Sequence, residues 1–193
     1  MKRKIILATL CLLLSGIDLA AQDVQYKVLA TKKTSTMEKE MNEAAVEGFH
    51  YEGVSGGETS FSGSQTVLIM SLIPGSRISY EYRLLATSKT STMQKEIQQA
   101  GAQGFDYRGQ IVFDTSFGGN EVVVIMERRS DAKDARYDFQ ILATTRTGTL
   151  QKELTDAGHN GYEFAGMNVG KTAFGGAEVV IFLRRKTSGR TVN

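Results

Sequence analysis

The chain has 193 residues, 23 Lys and Arg against 21 Asp and Glu, two His, one Cys, one Pro and no Trp. Its start has the layout of a secretory signal peptide: Lys2, Arg3 and Lys4, an apolar run from Ile5 to Ile17, and a small-residue cleavage site at Ala20-Ala21-Gln22. Cleavage after Ala21 removes three basic residues, one acidic residue and Cys11, leaving 20 basic and 20 acidic residues and no cysteine. A neutral, cysteine-free chain excludes disulfides, thiol catalysis and cysteine metal sites, and offers no electrostatic attraction to nucleic acid or an anionic membrane. The leader run is short for a spanning helix, which needs ~20 apolar residues, and no second run of that length follows. The expected location is therefore the periplasm or the extracellular space.

Beyond the leader the sequence repeats itself three times. LATKKTSTMEKEM begins at Leu29, LATSKTSTMQKEI at Leu85 and LATTRTGTLQKEL at Leu142, at offsets of 56 and 57 residues. The same offsets relate Gly48, Gly104 and Gly161, then Gly53, Gly109 and Gly166, then Phe61, Phe117 and Phe174. Three tandem units follow, over 24–72, 80–129 and 137–185, after a leader over 1–21 and before a polar tail over 186–193 that is expected to be disordered. The first linker holds the only proline, Pro74, and the second is charged and polar.

Each unit reads as β-α-β-β. A partly alternating strand such as Tyr80-Glu81-Tyr82-Arg83-Leu84 opens it. Ser35 with Glu38, and Ser91 with Gln94, have the spacing of a reciprocal capping box and predict a helix start. Apolar residues then recur at i, i+4 and i+7: Met37, Met41 and Ala44; Met93, Ile97 and Ala100; Leu150, Leu154 and Ala157. Gly48, Gly104 and Gly161 stand where a left-handed residue ends a helix. A second strand follows, then a Gly-rich turn and a continuously apolar third strand, Val122 to Met126 in the second unit, which implies cover on both faces.

The pattern resembles a bacterial family, domain of unknown function 4177. The parts that carry the resemblance are Tyr80-x-Tyr82-Arg83-Leu84, Gly101-Ala102-Gln103-Gly104-Phe105 and the apolar strand from Val123 to Arg129; the family's usual Trp is replaced by Phe49, Phe105 and Tyr162. The resemblance covers all three units. It implies the unit fold and brings no activity.

A unit of about 48 residues without disulfide or metal is marginal alone, so the units are expected to share a core. The expected fold is α+β: three mainly antiparallel sheets, each with one helix and with the third strand between the first two. The units are expected to pack with pseudo-threefold symmetry, sheets inward and helices outward, the fullest form being a closed barrel; a bead-like row of separate domains is the alternative.

Candidate sites are few. His50 and His159 are not repeat-equivalent and sit in no metal or nucleophile motif, so neither a metal nor another cofactor is expected. Glu40, Glu96 and Glu153 recur on the helices but each follows a lysine and none pairs with another. The most site-like recurrence is a cation with hydroxyls at each helix start: Lys33, Thr34, Ser35 and Thr36; Lys89, Thr90, Ser91 and Thr92; Arg146, Thr147 and Thr149. Free N–H groups and the helix dipole favour an anion there. Phe61, Phe117 and Phe174 on the Gly-rich tips are candidate contacts for a partner. Structural residues recur and reactive ones do not, which points to a non-enzymatic binding or interaction module whose partner is a small anion, a glycan or an envelope protein. A structural envelope or matrix protein is the second reading, and a hydrolase using carboxylates between units the third.

Overall fold

A computed structural model describes residues 23–31, 33–59, 63–114, 120–171 and 177–188. The leader expected over 1–21 and the tip residues Phe61, Phe117 and Phe174 lie outside them. Unit 1 comprises β1 (Gln25–Thr31), α1 (Thr34–Val46), β2 (His50–Thr59) and β3 (Gly63–Leu72). Unit 2 comprises β4 (Tyr80–Thr87), α2 (Thr90–Ala102), β5 (Asp106–Asp114) and β6 (Asn120–Arg129). After a short 3-10 turn at Ser130–Ala132, unit 3 comprises β7 (Ala135–Thr144), α3 (Thr147–His159), β8 (Glu163–Lys171) and β9 (Ala177–Ser188). The last unit is longer than its repeat suggests: Lys186, Thr187 and Ser188 continue β9 and pair with Tyr137, Arg136 and Ala135.

The strand orders are β1-β3-β2, β4-β6-β5 and β7-β9-β8, all antiparallel. The apolar third strand is central in each, as its composition predicts. In β6 the two faces go to two different cores. Val123 and Ile125 join a cluster with Met37, Met41, Leu68 and Met70 of unit 1, while Val124 and Met126 join their own helix residues Met93 and Ile97. Phe182 of β9 repeats the arrangement by packing into unit 2's cluster. The units are therefore not beads; each covers the open sheet face of the next.

The sheets do not close into a barrel. The covering relation runs from unit 1 to unit 2 and from unit 2 to unit 3, and the two ends stay open: Tyr26 and Val28 on β1, and Phe164, Met167 and Val169 on β8, are large apolar residues left exposed. The helices of units 1 and 2 also do more than line the outside, because α1 contacts β4 and α2 contacts β7 of the following unit.

Helix ends follow the glycine pattern. Gly48, Gly104 and Gly161 have φ of 95°, 89° and 79°, and the next N–H reaches back to Ala44, Ala100 and Ala157 at 3.0, 3.1 and 3.0 Å. That is the Schellman geometry, which a side chain with a Cβ resists. Helix starts differ from the capping-box expectation. The N-cap residues are Lys33, Lys89 and Arg146, each two positions before Ser35, Ser91 and Gly148, with no side-chain cap. Thr31, Thr87 and Thr144 instead accept the N–H of each N-cap residue at 3.1 Å, and Glu38 and Gln94 are turned toward a neighbouring strand.

Candidate functional site

The three helix starts remain on their separate units. The first-turn N–H groups have no side-chain cap, although the Thr92 N–H donates to the Lys89 carbonyl at 3.1 Å, and Lys33, Lys89 and Arg146 are exposed beside them. At α2 the start borders a cleft of about 40 Å³ between units 2 and 3, shared by Lys89, Thr90, Ile141 and Glu178. That volume admits only a few water-sized groups. The Glu178 carboxylate in the same cleft opposes an anion at Lys89. A second, shallow groove of about 610 Å³ runs between Asn42, Val46, Tyr80 and Lys133. Two of its cations are already engaged, Arg128 with Glu81 and Arg129 with Asp131.

The strand-end arginines Arg128, Arg184 and Arg185 make structural contacts. Arg128 lies over the Phe105 ring at 4.9 Å, Arg185 lies over Tyr162 at 4.7 Å and pairs with Asp138 at 2.8 Å, and Arg184 pairs with Asp106 across units 2 and 3.

His50, Ser71 and Glu52 come together, but not as a catalytic triad. Glu52 and Ser71 both approach the same ring nitrogen, Nε2, at 3.0 and 3.4 Å, and the Ser71 hydroxyl donates to Glu52 at 2.5 Å. A triad needs the carboxylate on the opposite nitrogen, with the hydroxyl donating to the imidazole. Among the described residues no group of three or more His, Cys, Asp and Glu is arranged to hold a metal ion.

The most buried polar constellation lies between units 1 and 2. Glu127 is 3% exposed. It accepts from Arg108 Nε at 2.8 Å, from Arg108 Nη2 at 2.5 Å, and from the Tyr82 hydroxyl at 2.9 Å. The Tyr82 hydroxyl in turn accepts the Tyr51 N–H at 2.7 Å. Burial, then the Glu127 charge, raises the Tyr82 hydroxyl well above its usual value. Arg108 is the extra residue of a β-bulge between Tyr107 and Gly109, an irregularity that recurs at Glu52 and Ala165. With every partner matched, this network holds two sheets together rather than presenting a reactive group.

The feature that recurs with chemistry is the junction itself. Asn42 on α1 pairs with Tyr82 of β4 through both backbone groups, donating to the carbonyl and accepting the N–H at 2.9 Å each. Glu38 accepts the Leu84 N–H at 2.7 Å. One unit on, Gln98 accepts the Phe139 N–H at 2.9 Å, and Gln94 accepts the Ile141 N–H at 2.7 Å while donating to the Phe139 carbonyl at 2.9 Å. Helix side chains thus take the place of a missing strand and satisfy a sheet edge.

No family model, curated protein or solved structure matches the chain.

The residues that single-unit reading misses are those at the open ends. Tyr26 and Val28 are the repeat equivalents of Tyr82 and Leu84, and Gln151 and Thr155 those of Gln94 and Gln98. Among the described residues Gln151 and Thr155 reach no following strand, and Gln151 Nε2 donates to the Thr155 hydroxyl at 3.3 Å on an exposed surface. The signal was present in the repeat register: a position buried at two junctions has a third copy at an end.

Proposed function

We propose that this chain is an exported, non-enzymatic interaction module of three stacked units, acting in the periplasm or outside the cell and binding protein through its two open end faces. The observation that carries the reading is the exposure of Tyr26, Val28, Phe164, Met167 and Val169 at positions where an apolar side chain has no structural duty within its own unit. Contiguous exposed apolar residues rimmed by polar ones mark interaction surfaces. The buried carboxylate Glu127 is held by an arginine and a tyrosine, which favours a structural role for it over acid–base work. The leader composition supports export, and the likeness to the 4177 family supports the unit without adding an activity.

Photo-crosslinking in the producing cell tests this. Benzoylphenylalanine placed at Tyr26, at Phe164 and at the exposed groove residue Val46 is expected to give discrete protein adducts at the first two positions and none at the third. Adducts at Val46 alone move binding to the groove and overturn the reading. Turnover of ester, glycoside or peptide substrates that disappears in Glu96→Gln replaces it with a hydrolase.

A further inference from the structure

The two open ends are the two halves of an interface that the chain already forms twice. At the first junction Tyr82 is 3% exposed under α1 and β2, and at the second its equivalent Phe139 is 3% exposed under α2 and β5. The unit 1 equivalent, Tyr26, is 68% exposed. The covering side shows the converse. Tyr51 of β2 sets its hydroxyl against Gly109, and Tyr107 of β5 sets its hydroxyl against Gly166, so closely that neither glycine has room for a Cβ. The next residue in that series, Phe164, is 60% exposed, and the first glycine in the receiving series, Gly53, has nothing within 4 Å of its Cβ position. The helices agree. A Cβ on Gly101 would lie 2.8 Å from the Phe139 ring, whereas its equivalent Gly158 faces open space.

We propose that copies of this chain associate head to tail, with the α3–β8 face of one copy seated on β1 and the outer sheet face of the next. Phe164 then meets Gly53, Gly158 admits β1, and Gln151 takes the β1 backbone at Val28 as Gln94 takes Ile141. The proposal rests on the interaction reading above and names its partner as a second copy. The surfaces are different on the two sides, so the contact is heterologous and propagates into a ring if its rotation closes and into a filament if it does not. The new junction is weaker than the internal ones, because Thr155 offers one hydroxyl where Asn42 and Gln98 offer an amide. It also joins two molecules rather than two parts of one chain.

Sedimentation velocity on purified residues 22–193 tests it. The expected result is a mass that rises above the monomer as concentration rises. Val28→Lys blocks the receiving face, and Gly158→Arg blocks the covering face while improving the helix. Each is expected to stay monomeric alone. An equimolar mixture is expected to stop at a 1:1 dimer, since each variant keeps the half that the other lacks. Tyr26→Lys and Phe164→Asp serve as replacements should either variant fail to melt like the wild type. A wild type that stays monomeric throughout, a dimer that either variant still forms alone, or a mixture that remains monomeric overturns the proposal. A monomer that still gives adducts with a different protein from positions 26 and 164 removes the second copy but leaves the interaction reading standing.

Discussion

The Glu38 carboxylate accepts the Leu84 backbone N–H at 2.7 Å across the boundary between units 1 and 2, and so stands in for a strand at the edge of β4. Gln94 repeats the contact with Ile141 at 2.7 Å. Glu38→Ala leaves that N–H part-buried and unpaired, a loss of about 1–3 kcal/mol. Glu38→Gln keeps an acceptor oxygen, as Gln94 does, and is expected to stay close to wild type. Urea denaturation of the two variants decides: equal midpoints for Ala and Gln would show that the hydrogen bond contributes nothing.

The same substitution is expected to have opposite signs at two equivalent helix positions. In Gly101→Ala the new methyl presses on the Tyr137 carbonyl and lies 2.8 Å from Phe139, so β7 must move, at about 1–3 kcal/mol. In Gly158→Ala it enters open space, and the gain in helix propensity is up to ~1 kcal/mol, reduced by its place near the helix end. Melting temperatures should fall for the first and hold or rise for the second. A shift in the same direction for both contradicts the open end at α3.

How far the sequence foretells this arrangement depends on which residue is considered. Val123 to Met126, an unbroken apolar run, requires two covered faces, and β6 has them. Gly104 at φ 89° is legible for the same reason, since one local conformation demands one residue type. Glu38 is not legible in this way. Its spacing from Ser35 satisfies a local capping rule, and a tertiary contact that satisfies an otherwise unpaired edge N–H takes the side chain instead. Closure was also beyond local reading, because three similar units suit a ring and an open stack equally well. What separates the two is whether Tyr26 is covered. The helix-start cations are legible as exposed groups, and no convergence of the three into one site follows from the repeat.

Buried amides at the second junction provide another check. Both polar atoms of the Asn168 side chain are buried without a partner in the described structure, as is Gln110 Nε2. The unit 2 equivalent of Asn168 is the buried Ile111. Asn168→Val removes unpaired polar groups from an apolar junction and is expected to stabilise by about 1–2 kcal/mol. A fall in melting temperature would show that Asn168 binds something in the folded protein, an ordered water being the simplest occupant.

Alkaline pH should loosen the junctions. Burial raises the Tyr51 hydroxyl to about 12, and raises those of Tyr82 and Tyr107 beyond the usual tyrosine range. A value raised on folding means that the folded state keeps its proton after the unfolded state has lost it. The stabilisation is therefore complete below about pH 10, the ordinary tyrosine value, and is lost as pH rises through the folded values. Melting temperature is expected to hold between pH 7 and 9 and to fall from about pH 10 upward, with late phenolate absorbance from the buried rings appearing as the protein unfolds. Full phenolate absorbance before any loss of melting temperature would contradict it.

The Arg108–Glu127 pair gives the sharpest test of what the seam network does. Removing only the cation, in Arg108→Met, leaves a carboxylate that is 3% exposed without its charge partner, and is expected to cost about 3–5 kcal/mol. Removing both, in Arg108→Met with Glu127→Met, eliminates the buried charge and should recover at least half of that loss, because the desolvation of two ions disappears along with their attraction. The repeat itself argues that the pair is dispensable to the fold: the equivalent positions hold Glu52 and Ser71 in unit 1, and Ala165 and Arg184 in unit 3, on the same strands. Tyr82 keeps its bond from the Tyr51 N–H in the double variant, so its loss is confined to one acceptor. A double-mutant cycle in urea measures the coupling directly. If the double variant is as unstable as Arg108→Met alone, the unpaired charge is not what makes the single change severe, and the aliphatic stem of Arg108 packing at the bulge is the stronger contribution.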